Sequence, residues 1–240
     1  MVAKSLAEVL KAAVLAGLIA GAVSGGFHWI MTEPLIDRAI EMEQSLRGSP
    51  TIRPKEPVVS RPVQKLGLVF GFLLYGGAWG VLFGLLAYAA RPWFADMSYG
   101  KHGFSLAAFL GWAVALFPLL KYPANPPGVG ELETIGYRQE LFLGFIALSL
   151  IGTLAALGVE RWLRHRGRRA RAVVLISYVI YLALIFVALP SNPDPVRLPP
   201  EFVRVFRTLS LLGQFLFWTV MGGTFWWLCR SGAGLPARRS

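Results

Sequence analysis

Six stretches of this chain are long and apolar enough to cross a bilayer. They run over about Ala12–Met31, Gly67–Ala90, Phe104–Leu120, Leu141–Val159, Ala172–Leu189 and Thr208–Leu228. A helix rises about 1.5 Å per residue, so about 20 apolar residues span the hydrocarbon core. With no water there, every backbone polar group must be bonded within the protein, which favours helices. The expectation is an all-α integral membrane protein with about six transmembrane helices in a bundle. Residues 1–240 read as a single polytopic domain. The third stretch is the shortest and carries Pro118, which a membrane helix tolerates near an end. Ala20-Gly21-Ala22 would suit cleavage of a leader, but no clear polar region accompanies it, so the first stretch reads as a retained span. Charge supports the membrane class: 15% of the residues are charged, against about 25% in soluble domains.

A net charge of +11 invites a nucleic-acid reading, which the placement of the charges rejects. Six arginines fall within Arg161–Arg171, a short connector, and the positive-inside rule puts it in the cytoplasm. Six spans then place both termini on that side as well. Ten of the thirteen acidic residues fall on the other side: Glu33, Asp37, Glu41, Glu43, Glu56, Glu131, Glu133, Glu140, Asp194 and Glu201, leaving Glu8, Asp96 and Glu160 inside. An acidic outer face concentrates cations, although carboxylates also simply keep loops soluble. The connectors are an outer acidic, proline-containing loop (33–66), an outer Pro/Gly-rich loop (121–140) and the cytoplasmic arginine loop (160–171). Within the second, Asn125, Pro126, Pro127 and Gly128 make a stiff structural element, because proline fixes φ and restricts its predecessor. A related Pro-Ser-Asn-Pro-Asp-Pro run follows the fifth span at Pro190–Pro195, a weak internal repeat.

Glycines mark where helices come close. Gly17, Gly21 and Gly25 share one face of the first span, and Gly76, Gly80 and Gly84 one face of the second. Ala107, Gly111 and Ala115 do so in the third, and the expectation is a tight three-helix core.

His28 is the only ionisable side chain within the apolar stretches, where such groups are costly and point to function. Imidazole is also a good ligand for divalent cobalt, nickel or zinc. If helix continues past Pro34, Glu33, Asp37 and Glu41 lie one turn apart on one face beyond it. With Glu131 and Glu133 these are the candidate metal residues. One cysteine, Cys229, excludes an internal disulfide, and there is no Walker-type phosphate loop and no H-E-x-x-H. No nucleophile–base pair suggests an enzyme, and no permanently bound cofactor is expected.

Several segments together resemble the CbtA family of cobalt transporter subunits. They are G-L-I-A-G-A-V-S-G-G-F-H-W-I with E-P-L-I-D-R-A-I-E-M-E-Q, R-P-V-Q-K-L-G-L-V-F-G, and K-Y-P-A-N-P-P-G-V-G with E-T-I-G-Y-R. The resemblance implies uptake of Co2+ linked to cobalamin synthesis, in a bacterial inner membrane. It also implies a small single-span, histidine-bearing partner (CbtB-like). The alternative is a structural or assembly subunit of a larger membrane complex, for which aromatic runs such as Phe215–Trp227 offer contact surface.

Overall fold

The computed structural model describes residues 5–46, 59–94, 97–127 and 129–230. Glu56, Asp96, Gly128 and the 47–58 part of the first outer connector lie outside them. Among the described residues all regular structure is helical: α1 (Leu6–Met31), α2 (Glu33–Leu46), α3 (Arg61–Ala89), α4 (Tyr99–Gly111), α5 (Phe117–Lys121), α6 (Ile135–Leu163), α7 (Arg168–Ala188) and α8 (Pro200–Arg230). Six helical segments are long and apolar enough to cross a membrane: α1, α3, Gly100–Lys121, α6, α7 and α8. The chain folds as two compact units, Phe109–Leu211 and the remainder.

In the first unit, Ser5 starts α1 with a capping box: its hydroxyl accepts from Glu8 N–H, while Glu8 Oε2 accepts from Ser5 N–H at 2.8 Å. The helix ends at Thr32 because Pro34 has no N–H to offer the turn before it. Leu35 and Ile36 both donate to the Thr32 carbonyl, at 3.0 and 3.1 Å, and α2 starts at once. The connector after the first span is therefore helical over Glu33–Leu46.

Along α1 and α3 the backbones touch through glycine. A Cβ on Gly17 would lie 2.9 Å from Gly80 Cα, and one on Gly80 would lie 2.7 Å from Val14 Cα. Such an approach replaces side-chain packing by backbone packing, which in lipid is what holds helices together. The expected three-helix core is not what the third stripe builds. Its Ala107 meets Gly222 of α8, whereas Gly111 and Ala115 belong to the other unit. An aromatic chain completes this unit, with Tyr75 against Phe217 and Trp79 against Trp218, at ring separations of 5.0 and 4.9 Å.

The second unit contains a π turn, Trp112–Leu116, just before α5. Phe117 N–H reaches back five residues to Trp112 O, so the wide turn absorbs Pro118, which would otherwise crowd the carbonyl four residues earlier. The helix thereby continues through the proline to Lys121. Phe117, Phe145, Leu182 and Ile185 form the core here. A half-buried polar chain lies beside it: Trp112 Nε1–H donates to Tyr178 Oη (2.9 Å), which hydrogen-bonds Thr153 Oγ1 (2.7 Å). Each hydroxyl is thus partnered, as burial in an apolar medium demands.

Candidate functional site

His28 lies on the last turn of α1, half-buried, in the first unit. Its Nδ1 is 2.8 Å from Thr32 Oγ1, one turn on. The ring stacks on Phe72 of α3 with centroids 5.0 Å apart and meets Phe27 edge-on. Nε2 faces Gly213 of α8, where any side chain would collide with the imidazole. Three helices therefore fix the ring, and Gly213 is a residue that sequence reasoning missed. Nothing in L-L-G-Q singles out that glycine; only the opposing ring does. When Nδ1 donates to Thr32, Nε2 keeps its lone pair, the form of imidazole that binds metals. Nearby on the same unit, Gln214, Tyr75 and Phe72 border a cavity of about 300 Å3. Gln214 has a hydrogen bond with Tyr75, yet its Oε1 has no donor among the described residues.

Glu33 and Asp37 are brought together by α2, one turn apart, and both face α3. Arg61 Nη2 donates to Glu33 Oε1 and to Asp37 Oδ1, each at 2.6 Å, and Lys65 Nζ lies 2.8 Å from Asp37 Oδ2. Glu33 is 6% exposed. Two carboxylates thus meet two cations, and this corner carries little net charge. The Lys65 hydrogen bond and then Arg61 hold the Asp37 carboxyl below the usual carboxylate range. A lowered value means stability that is present above the ordinary carboxylate pKa and lost as pH falls through the lowered one.

Arg61→Ala should therefore cost ~1–2 kcal/mol near neutral pH, less than a fully buried pair because water reaches both cations. As pH drops from about 7 to about 3, the penalty should hold steady down to about pH 5 and shrink only below the ordinary carboxylate pKa of about 4, as the Asp37 carboxyl takes up its proton. Melting temperatures of the two proteins in detergent, compared across that range, check this. A gap that stays constant with pH would detach Arg61 from the carboxylates.

Glu41 is exposed on the same helix, and Glu133 is exposed within the Pro/Gly-rich connector. Glu131 Oε1 lies 3.3 Å from Arg197 Nη2. Among the described residues no three His, Cys, Asp or Glu side chains are grouped so that they could hold a metal ion.

In the second unit the proline-rich connector is tied down by residues far away in sequence. Asn125 Oδ1 accepts from Arg207 Nη2 at 2.7 Å, and Pro126 is fully buried, its carbonyl accepting from Val129 N–H at 3.3 Å. Pro127 is half-buried beside it. Gly130 has φ +110°, a conformation that favours glycine, and Arg138 lies against it. Asp194 is the anchor. Its carboxylate accepts from Thr134 Oγ1 (2.8 Å) and Glu131 N–H (3.2 Å), and pairs with Arg138 Nε (3.1 Å). Asn192 Oδ1 accepts from the Asp194 N–H, closing an Asx-type turn. Tyr122 Oη donates to Pro190 O at 2.7 Å. The two asparagine–proline runs therefore belong to one structural feature.

A family model described as probable cobalt transporter subunit (CbtA) matches residues 6–230. No curated protein and no solved structure matches the chain.

Proposed function

Because the chain belongs to the CbtA family, whose description is probable cobalt transporter subunit, we propose that it is the membrane subunit of a cobalt uptake system linked to cobalamin synthesis. The observation that carries this reading is the family match over residues 6–230, a range that takes in all six long apolar helices. Co2+ is cargo here, not a resident cofactor. The membrane is the bacterial cytoplasmic membrane, with the arginine-rich connector and both termini inside. The proline-rich connector and the Glu33–Asp37 corner then face outward.

His28 supplies one ligand to the passing ion. Its support is the fixed ring, with Nδ1 engaged by Thr32 and Nε2 turned toward α8. One imidazole does not complete a first-row coordination sphere. The remaining ligands come from a partner, and a small single-span, histidine-bearing subunit would provide them. Glu33, Asp37, Glu41, Glu131 and Glu133 are the further metal candidates. The first two are available only when Arg61 and Lys65 let go.

Proteoliposomes holding this chain, with and without the single-span partner, test the reading. Cobalt uptake should need this chain, and His28→Ala should lower it by at least about tenfold, the scale of losing a metal-site group. The variant should keep its wild-type melting temperature and insertion. Unchanged uptake would remove His28 from the path. No uptake in any preparation, with folded and inserted protein, would turn the reading to a structural or assembly subunit.

A further inference from the structure

The second unit holds a cavity of about 630 Å3 at the end where its two asparagine–proline runs meet. Lys121, Arg138, Arg207 and Asp194 contribute its charges, three cations against one carboxylate. Asp194 is already engaged by Arg138, Thr134 and the Glu131 backbone. The excess positive charge therefore rests on Arg207 and Lys121. Among the described residues Arg207 is bound only by the neutral Asn125, through Nη2. Its Nε–H is buried and has no acceptor among the described residues. Lys121 Nζ stands over the rings of Phe186 (5.1 Å) and Tyr122 (5.9 Å), with no carboxylate paired to it among the described residues.

Buried donors without acceptors are costly, and guanidinium groups match the two oxygens of a carboxylate. The volume falls within the range of roughly 300–1,000 Å3 that small organic ligands occupy. It exceeds what a lone ion needs, and its charge would repel a bare divalent cation.

We propose that this cavity binds a small organic anion bearing two or more carboxylates, with Arg207 and Lys121 as its charge partners. It goes beyond the uptake reading, which needs no such site. Joined to that reading, it means that the metal is presented at this end as an anionic carboxylate chelate. A free polycarboxylate and its metal chelate share carboxylate chemistry, but the chelate has oxygens engaged by the metal and two fewer negative charges.

The test is calorimetric titration of the full chain in nanodiscs of zwitterionic phosphatidylcholine, with citrate as the probe. The arms are citrate alone, citrate with equimolar Co2+, and Co2+ alone. Citrate should bind saturably, and Arg207→Gln and Lys121→Gln should each weaken it at least about tenfold, the scale of a charge-assisted hydrogen bond. Lys121→Gln breaks no hydrogen bond or ion pair described here, so it keeps the test open if Arg207→Gln fails to fold. Tighter binding with Co2+ present assigns the site to the chelate, and tighter binding without it assigns the site to the free anion. Either keeps the carboxylate site. Absence of saturable citrate binding, or binding indifferent to both substitutions, overturns it. So does citrate binding that vanishes once anionic phosphatidylglycerol is added to the discs, since a lipid headgroup then owns the cavity. No arm measures uptake, so failure here and failure of the transport reading are separate results.

Discussion

Gly17→Leu should leave little folded protein, and even Gly17→Ala should lower stability. On α1 a Cβ at this position would meet the Gly76 carbonyl and lie 2.9 Å from Gly80 Cα. Both obstacles are backbone, so neither can rotate away, and the helices must separate. Overpacking of this kind costs ~1–3 kcal/mol for small additions and more for large ones. Alanine also gains up to about 1 kcal/mol of helix propensity over glycine, which the clash outweighs. Gly77 on α3 provides the contrast, because a Cβ there finds only a Leu18 methyl group at 3.6 Å. Gly77→Ala should therefore be neutral or slightly stabilising. Fluorescence-detected size exclusion after heating, run on the three variants and wild type, measures the order. Equal melting of Gly17→Ala and Gly77→Ala would refute backbone packing as the cause.

Asp194→Ala should be the second large loss. The side chain is 1% exposed and holds Thr134, the Glu131 N–H and Arg138 together. Removing it strands a partly buried guanidinium and two polar donors at once. Breaking a fully buried pair costs ~3–5 kcal/mol; Arg138 keeps some access to water, so about 2–4 kcal/mol is expected here. Asp194→Asn preserves an acceptor for Thr134 but loses the charge facing Arg138, and should fall between. Reversible denaturant unfolding in mixed micelles, followed by tryptophan fluorescence, gives the ranking. If the alanine and asparagine variants match wild type, Asp194 is not what holds the connector.

The six membrane-crossing segments were legible because hydropathy and length follow directly from what lipid demands of a backbone. Their ends were less so. The second stretch reads as Gly67–Ala90 but the helix begins at Arg61, and the sixth reads as Thr208–Leu228 but begins at Pro200. Apolarity marks the part of a helix in hydrocarbon, whereas hydrogen bonding carries it on into polar surroundings. Pro34 left the helix beyond it conditional for the opposite reason, since proline reads as a stop even when the next helix begins beside it. His28 stood out by itself, as one ionisable group in an apolar run. What surrounds it did not, because Phe72 and Gly213 are far away along the chain. The same holds for Arg61, which meets residues 24 and 28 positions away, and for Arg207, 82 positions from Asn125. Charge composition names such groups but cannot pair them.

The glycine contact between α1 and α3 also bears on where an ion can travel. A first-row divalent ion needs ligands about 2 Å away on several sides, and water or protein must supply them at every step. Where two main chains press together there is neither room for the ion nor any side chain to replace its water. The α1–α3 seam is thus a sealed wall along Gly17, Gly21 and Gly76. Any permeation route assisted by this subunit has to follow another face; the His28 ring stacks on Phe72 at the end of the seam, and its Nε2 faces Gly213 of α8.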